Sequence, residues 1–245
     1  EVEGTKVWAA ASFSEILRDP SRFDLPCLWY DPIGVDRSLP LETPISWQEY
    51  ELRLFDLPGH TLYACAIAFE VDGIKVVASG DQQGTMPGVD GEFLNYTYRN
   101  RFGHRDFRRS AELYGRLRPD LLISGHWDPR PVTDGYLQTL LERGREIEDI
   151  HEDLLPLDSF DLGAEGVAAW IRPYRSVLLP RESVQLAIEI RNPFRTPGVA
   201  VVSLVVPDAW TATPSTASIT IGPASSETVH VQVTAGPEVV RRARI

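Results

Sequence analysis

The chain has 245 residues, 43% of them hydrophobic and 24% charged, with a net charge of −11. That is the composition of a globular protein of one large or two ordinary domains. The charge is unevenly spread: residues 1–166 hold 16 basic and 30 acidic side chains, residues 167–245 hold 8 and 5. So acidic a body argues against tight phosphate-backbone binding, and no nucleic-acid partner is expected. No apolar run approaches the ~18 residues of a membrane helix, so no membrane span is expected. The opening "EVEGTKVWAAASF" lacks the basic-then-apolar order of a signal peptide and an initiating Met, so Glu1 is expected not to be the natural start. Cys27 and Cys65 make no metal spacing, and Cys65, inside an apolar run, reads as a small core residue. Cysteine usage leaves the compartment undecided.

In chain order, a short helix is predicted at 13–18, with Ser12 and Glu15 at capping-box spacing and Asp19-Pro20 as its stop. Residues 21–47, rich in Pro, Trp and turn residues, read as a long ordered loop. A strand follows at 50–57, with Leu52, Leu54 and Asp56 on one face. Strands at 62–71 and 74–79 flank Asp72-Gly73, a strong hairpin signal. Residues 84–105 are irregular. A helix is predicted at 107–117 with Asp106 as cap, a buried strand at 119–124, and a second helix at 134–154 capped by Thr133. Its buried stripe would be Leu137, Leu140, Leu141, Gly144, Ile147 and Leu154. This alternation predicts α/β layers over residues 1–160.

From residue 167 the pattern is all-β. "SVQLAIEIRN", "VAVVSLVV", "ASITIG" and "TVHVQVTA" are separated by Pro- and Gly-containing turns, which predicts a β-sandwich over 167–245. The closing "RRARI" reads as the start of one more strand, so the C-terminus is expected to be truncated.

The hairpin has polar ends. His60 stands in a Pro-Gly-His-Thr turn before it, and Asp81 follows Gly80 after it. His126 stands just past the 119–124 strand, again after a Gly. Each Gly lets the chain turn sharply, so the three side chains can meet at one sheet edge. Two imidazoles and a carboxylate suit zinc, or iron or manganese with less selectivity. Taken singly, each is more often a structural or solvated loop residue. Trp127, directly after His126, either walls the site or packs in the core. In "NYTYRNRFGHR", Tyr96, Tyr98, Arg99, Arg101 and Arg105 either line a pocket for an anionic group or form a solvated loop. His104, His151 and His230 read as surface or structural residues.

The ordered set "PGHT", "SGD" and "SGH" resembles the later motifs of the metallo-β-lactamase-fold hydrolases. "TKVWAA", "PIGVDRSLPLETPISW" and "LRPDLLISGHWDP" resemble the segments around them, so the resemblance spans roughly residues 1–155. It implies a partial αββα sandwich and a site with two divalent metal ions, zinc before iron or manganese. His60 would ligate the first metal, Asp81 would bridge both and act in catalysis, and His126 would ligate the second. A metal-bound hydroxide would then attack a small-molecule ester, amide, thioester or phosphoester. The sequence departs from the family pattern in one respect: the first motif, His-x-His-x-Asp-His, occurs nowhere in it. That motif is expected to precede residue 1, so this chain alone is not expected to catalyse. Residues 167–245 resemble the immunoglobulin-like modules appended to glycoside hydrolases, with Trp210 of "PDAW" in the core.

Three readings compete: a fragment of a dinuclear-metal hydrolase, a non-catalytic interaction scaffold of the same fold, and an adhesion or binding protein whose immunoglobulin-like part carries the function. The last predicts exposed aromatics on the sandwich, where Trp170, Tyr174, Phe194 and Trp210 are the candidates. Nothing in the sequence bears on oligomeric state.

Overall fold

A computed structural model describes residues 4–20, 31–85, 92–95, 103–154, 157–159 and 168–245. These fall into two compact units, one holding the described residues up to 154 and the other those from 157 onward. Cys27, Tyr96, Tyr98, Arg99 and Arg101 lie outside the described residues.

The first unit opens with β1 (Trp8–Ala10), α1 (Ala11–Arg18), β2 (Arg37–Leu39) and β3 (Ile45–Trp47). α1 starts earlier than predicted. Its N-cap is Ala10, with no side-chain cap bond. Ser12 therefore lies within the helix, where its hydroxyl meets the Cys65 thiol at 3.5 Å. The stretch read as a loop contains two short strands: β2 pairs in parallel with β1, and β3 pairs with the next strand, β4 (Tyr50–Asp56). β5 (Cys65–Val71) and β6 (Ile74–Ala78) form the predicted hairpin, with Asp72 and Gly73 both at positive φ, as its two-residue turn requires.

β7 (Gln83–Thr85) and β8 (Glu92–Leu94) pair antiparallel. α2 (Asp106–Leu117) leads into β9 (Leu121–Ile123) and β10 (Arg130–Pro131), and α3 (Asp134–Leu154) completes the unit. The main sheet has the order β10-β9-β6-β5-β4-β3, antiparallel throughout except for the parallel pair β6–β9. Thr133 caps α3 as predicted, its Oγ1 accepting the Tyr136 N–H at 3.1 Å. Asp106 does not cap α2. The N-cap is Arg105, and the buried Asp106 carboxylate accepts the Gly103 N–H instead.

One face of the sheet packs on the helices. Phe55, Leu57, Ala66, Val77 and Leu122 meet Ala111, Leu113 and Tyr114 of α2 and Tyr136, Leu137 and Leu140 of α3. A smaller cluster of Ala10, Leu39, Ile45 and Leu54, joined by Phe13 and Cys65, covers the opposite side of β3 and β4. Leu54 and Phe55 thus bury both faces of β4, because successive strand residues point opposite ways. α2 and α3 meet closely at Gly144, where a Cβ would lie 2.7 Å from the Arg108 backbone nitrogen. Glu148, one turn on, is buried between Arg105 (2.9 Å) and Arg108 (3.2 Å). The predicted stripe errs at three positions: it omits the buried Tyr136 and Glu148 and includes Leu154, which is 71% exposed.

The second unit is all-β. β11 (Ala169–Arg172), β12 (Ser183–Arg191), β13 (Gly198–Ser203), β14 (Thr211–Thr213), β15 (Thr216–Ile221) and β16 (Ser226–Thr234) form two sheets, β11-β12-β16-β14 and β13-β15. Alternate residues Leu186, Ile188 and Ile190 of β12 and Val229, Val231 and Val233 of β16 supply a shared core. Ala200, Val202, Ala217 and Ile219 of the smaller sheet, with Trp210, pack against it. The predicted closing strand is absent: residues 241–245 form none. Tyr174 and Phe194 are 46% and 44% exposed, whereas Trp170 and Trp210 are half-buried.

Candidate functional site

Sheet order decides where the polar loops go. β4 and β6 both run antiparallel to β5, and β9 runs parallel to β6. The C-terminal ends of β4, β6 and β9 therefore share one edge of the sheet. His60 follows β4, Asp81 follows β6, and His126 follows β9.

Asp81 and His126 come together, with Nε2 of His126 3.0 Å from Oδ2 of Asp81. The imidazole is 70% exposed and the carboxylate 25%. The tight turn before His126 permits this approach, since a Cβ on Gly125 would sit 3.2 Å from Asp81 Oδ1. Ser124 shapes the same turn, its Oγ accepting the N–H groups of His126 (3.1 Å) and Trp127 (2.8 Å). The Trp127 ring lies on Gly84, where a Cβ would fall 2.4 Å from the indole, and stands edge-on to His126 with centroids 6.0 Å apart. Trp127 thus fastens the His126 turn to the strand that follows Asp81.

His60 sits on the neighbouring loop. Its Nδ1 lies 2.6 Å from the Asn95 carbonyl oxygen. A carbonyl only accepts, so Nδ1 carries the proton and Nε2 of the neutral ring holds a free lone pair. That is the arrangement in which an imidazole ligates a metal through Nε2. Among the described residues, however, no group of three or more His, Cys, Asp or Glu side chains is gathered closely enough to hold a metal ion. Of the three expected ligands, the structure joins Asp81 to His126 and holds His60 on the adjoining loop. The donor chemistry fits a divalent cation at the pair, and the gathered set is smaller than a complete site.

The side chains that fix these loops were not expected from sequence. Gln82 is buried; its Oε1 accepts the His60 N–H at 2.9 Å and its Nε2 donates to the Pro58 carbonyl at 2.9 Å. Asn95 donates from Nδ2 to the Asp81 carbonyl at 2.8 Å. Beneath them, the buried Tyr114 hydroxyl donates to Gln83 Oε1 at 3.0 Å, and Gln83 Nε2 donates to Ser79 Oγ at 3.2 Å. The one available signal was "DQQ", two uncharged amides directly after the candidate bridging carboxylate. Arg105 and His104 serve structure here: Arg105 pairs with Glu148, and His104 is buried with Nε2 4.0 Å from Glu148 Oε1.

No protein family's sequence profile matches the chain. No curated protein matches it either. Solved structures do. A class B3 di-zinc metallo-β-lactamase, LRA-12 from an Alaskan soil metagenome, is 15% identical with a TM-score of 0.42, over 61% of this chain and 64% of its own. A metallo-β-lactamase of Cronobacter sakazakii with a HARLDQ motif is 16% identical with a TM-score of 0.41, over 62% and 63%. A β-lactamase from Chitinophaga pinensis is 16% identical with a TM-score of 0.37, over 61% and 62%. The chain thus spans less than two thirds of each.

Proposed function

We propose that this chain contributes part of the metal site of a metal-dependent hydrolase. His60, Asp81 and His126 would serve as ligands to two divalent cations, zinc before iron or manganese. The observation that carries the reading is the 3.0 Å approach of His126 Nε2 to Asp81 Oδ2 at the edge where His60 also emerges. The motifs "PGHT", "SGD" and "SGH" support it. Divalent cations at such a site supply an acidified water and stabilise negative charge on the reacting oxygen. This chain's own part is to hold the donors. Ser124 orients the His126 turn, Trp127 anchors it, and the Asn95 carbonyl keeps the His60 Nε2 lone pair available. Three ligands do not complete a two-cation site, so the reading requires further donors. Hydrolysis of a small-molecule ester, amide, thioester or phosphoester is then an activity of the whole protein.

For residues 167–245 we propose an immunoglobulin-like module that spaces or binds rather than catalyses. Its support is the core shared by the four-stranded and two-stranded sheets.

Equilibrium dialysis against zinc tests the site. The chain is expected to bind zinc, and His60→Ala, Asp81→Ala and His126→Ala are each expected to weaken binding by at least about tenfold, as loss of a ligand costs no less than loss of a supporting contact. Undiminished zinc binding by all three variants would overturn the assignment.

A further inference from the structure

Five hydrogen bonds close a ring through the three segments that carry His60, Asp81 and Asn95. The His60 N–H donates to Gln82 Oε1 (2.9 Å), and Gln82 Nε2 donates to the Pro58 carbonyl (2.9 Å). The Asn95 N–H donates to the Gln82 carbonyl (3.1 Å), and Asn95 Nδ2 donates to the Asp81 carbonyl (2.8 Å). His60 Nδ1–H closes the ring on the Asn95 carbonyl (2.6 Å). Gln82 is 2% exposed, so water cannot replace its bonds, and leaving either end unpaired is costly. The amide fits because residue 59 is Gly: a Cβ there would lie 2.3 Å from Gln82 Nε2.

We infer that Gln82 and Asn95 are positioning residues for the proposed metal site: the Gln82 amide splints the His60 turn to the Asp81 loop, and Asn95 sets His60 in the Nδ1–H tautomer with Nε2 bare. The inference rests on the reading of His60 as a ligand, but its structural core does not depend on metal. Gln82 does not touch the reacting atoms. It acts through His60. A buried amide could instead serve the core alone, in which case its loss would lower stability without changing the ring's tautomer. Geometry favours the positioning role, because both ends of Gln82 bond the backbone of the turn that carries His60, two residues apart.

The test is long-range proton–nitrogen correlation of the histidine side chains in the metal-free, nitrogen-15-labelled chain, with His60 assigned through His60→Ala. The wild type is expected to show His60 as a single Nδ1–H tautomer. Gln82→Met keeps the bulk and removes both bonds, and is expected to give mixed tautomers and about 10–100-fold weaker zinc binding. Asn95→Ala retains the backbone carbonyl, and is expected to keep the tautomer while weakening zinc binding at Asp81. An Nε2–H tautomer in the wild type overturns the inference, whether or not Gln82→Met folds. So does a folded Gln82→Met with an unchanged tautomer and wild-type zinc affinity. If the wild type shows the Nδ1–H form and loses it in Gln82→Met, yet no variant affects zinc binding, the splint stands as geometry and the metal reading falls.

Discussion

Gly59→Ala puts the construction of the site edge to a stability test. Gly59 has φ +143, and a Cβ there would lie 2.3 Å from Gln82 Nε2 and 3.0 Å from two carbons of the Phe107 ring. An L residue held in so sparsely populated a backbone region costs about 1–3 kcal/mol. Phe107 is itself buried, so the pressure falls on Gln82. Moving that amide strips the His60 N–H of its partner and leaves a buried polar side chain unpaired, at about 1–3 kcal/mol more. The Pro58 carbonyl is less affected, since the Ser110 hydroxyl also donates to it. Strain and clash relax together, so the total is about 3 kcal/mol, near the lower end of the sum. For a unit of about 150 residues this is a fall in Tm of about 6–12 °C. Gly73→Ala is the control. Its φ is +77 but nothing lies within 4 Å of the added carbon. Only the left-handed backbone penalty of about 1–2 kcal/mol then applies. Urea unfolding of both variants, followed by circular dichroism, gives the comparison. If Gly59→Ala loses no more stability than Gly73→Ala, the crowding of Gln82 has no energetic consequence.

Gly115 lies exposed within α2, and a Cβ there meets nothing within 4 Å, so Gly115→Ala should stabilise by about 1 kcal/mol, read as a higher urea midpoint at unchanged slope. Tyr114→Phe should destabilise by about 1–3 kcal/mol, because it removes a fully buried donor from Gln83 Oε1 and leaves that oxygen unpaired; an equally stable variant would mean that the amide has another partner. Partial desolvation at the end of β4 raises the carboxyl of Asp56 above its ordinary value even though the residue is solvent-exposed, with Arg109 opposing. The folded chain therefore holds its proton to higher pH than the unfolded chain, and the ionised group is a net cost at neutral pH. Asp56→Asn should accordingly be more stable than wild type at pH ~7 and show no gain below the unfolded pKa, where both states are protonated; a gain of equal size at both pH values would remove the carboxyl as its cause.

What the sequence showed plainly was local. The β5–β6 hairpin was legible because Asp72-Gly73 stands between alternating apolar runs, and α3 because Thr133 precedes an apolar stripe of helical period. β1, β2 and β3 were not, because three-residue strands hold too little alternation to read; β1 and β2 also depend on a distant pairing, with Trp8 opposite Arg37, whereas β3 pairs with its neighbour β4, Trp47 opposite Tyr50. Glu148 was missed because a carboxylate in a buried stripe makes sense only once Arg105 and Arg108 are known to face it from another helix. At the site, His60, Asp81 and His126 were legible as candidates because each is a metal-ligating residue type beside a Gly at a strand end. Gln82 and Asn95 were not, because the bonds they share with His60 span 22 and 35 residues and leave no periodic trace.

The parallel pairing of β6 with β9 also sets an order of assembly. β4, β5 and β6 are joined by short connections and close as a local meander, bringing the His60 and Asp81 loops near each other early. β9 joins only after the chain between Ala78 and Leu121, α2 included, has crossed over the sheet. Contacts that close long loops pay their entropy before they are rewarded, so they form late. The Asp81–His126 pair is therefore a marker of the finished sheet. Local opening of β9 that spares the meander, read by hydrogen exchange, would uncouple His126 from the edge and leave the His60 and Asp81 loops joined, so the two halves of the candidate site would have different local stabilities.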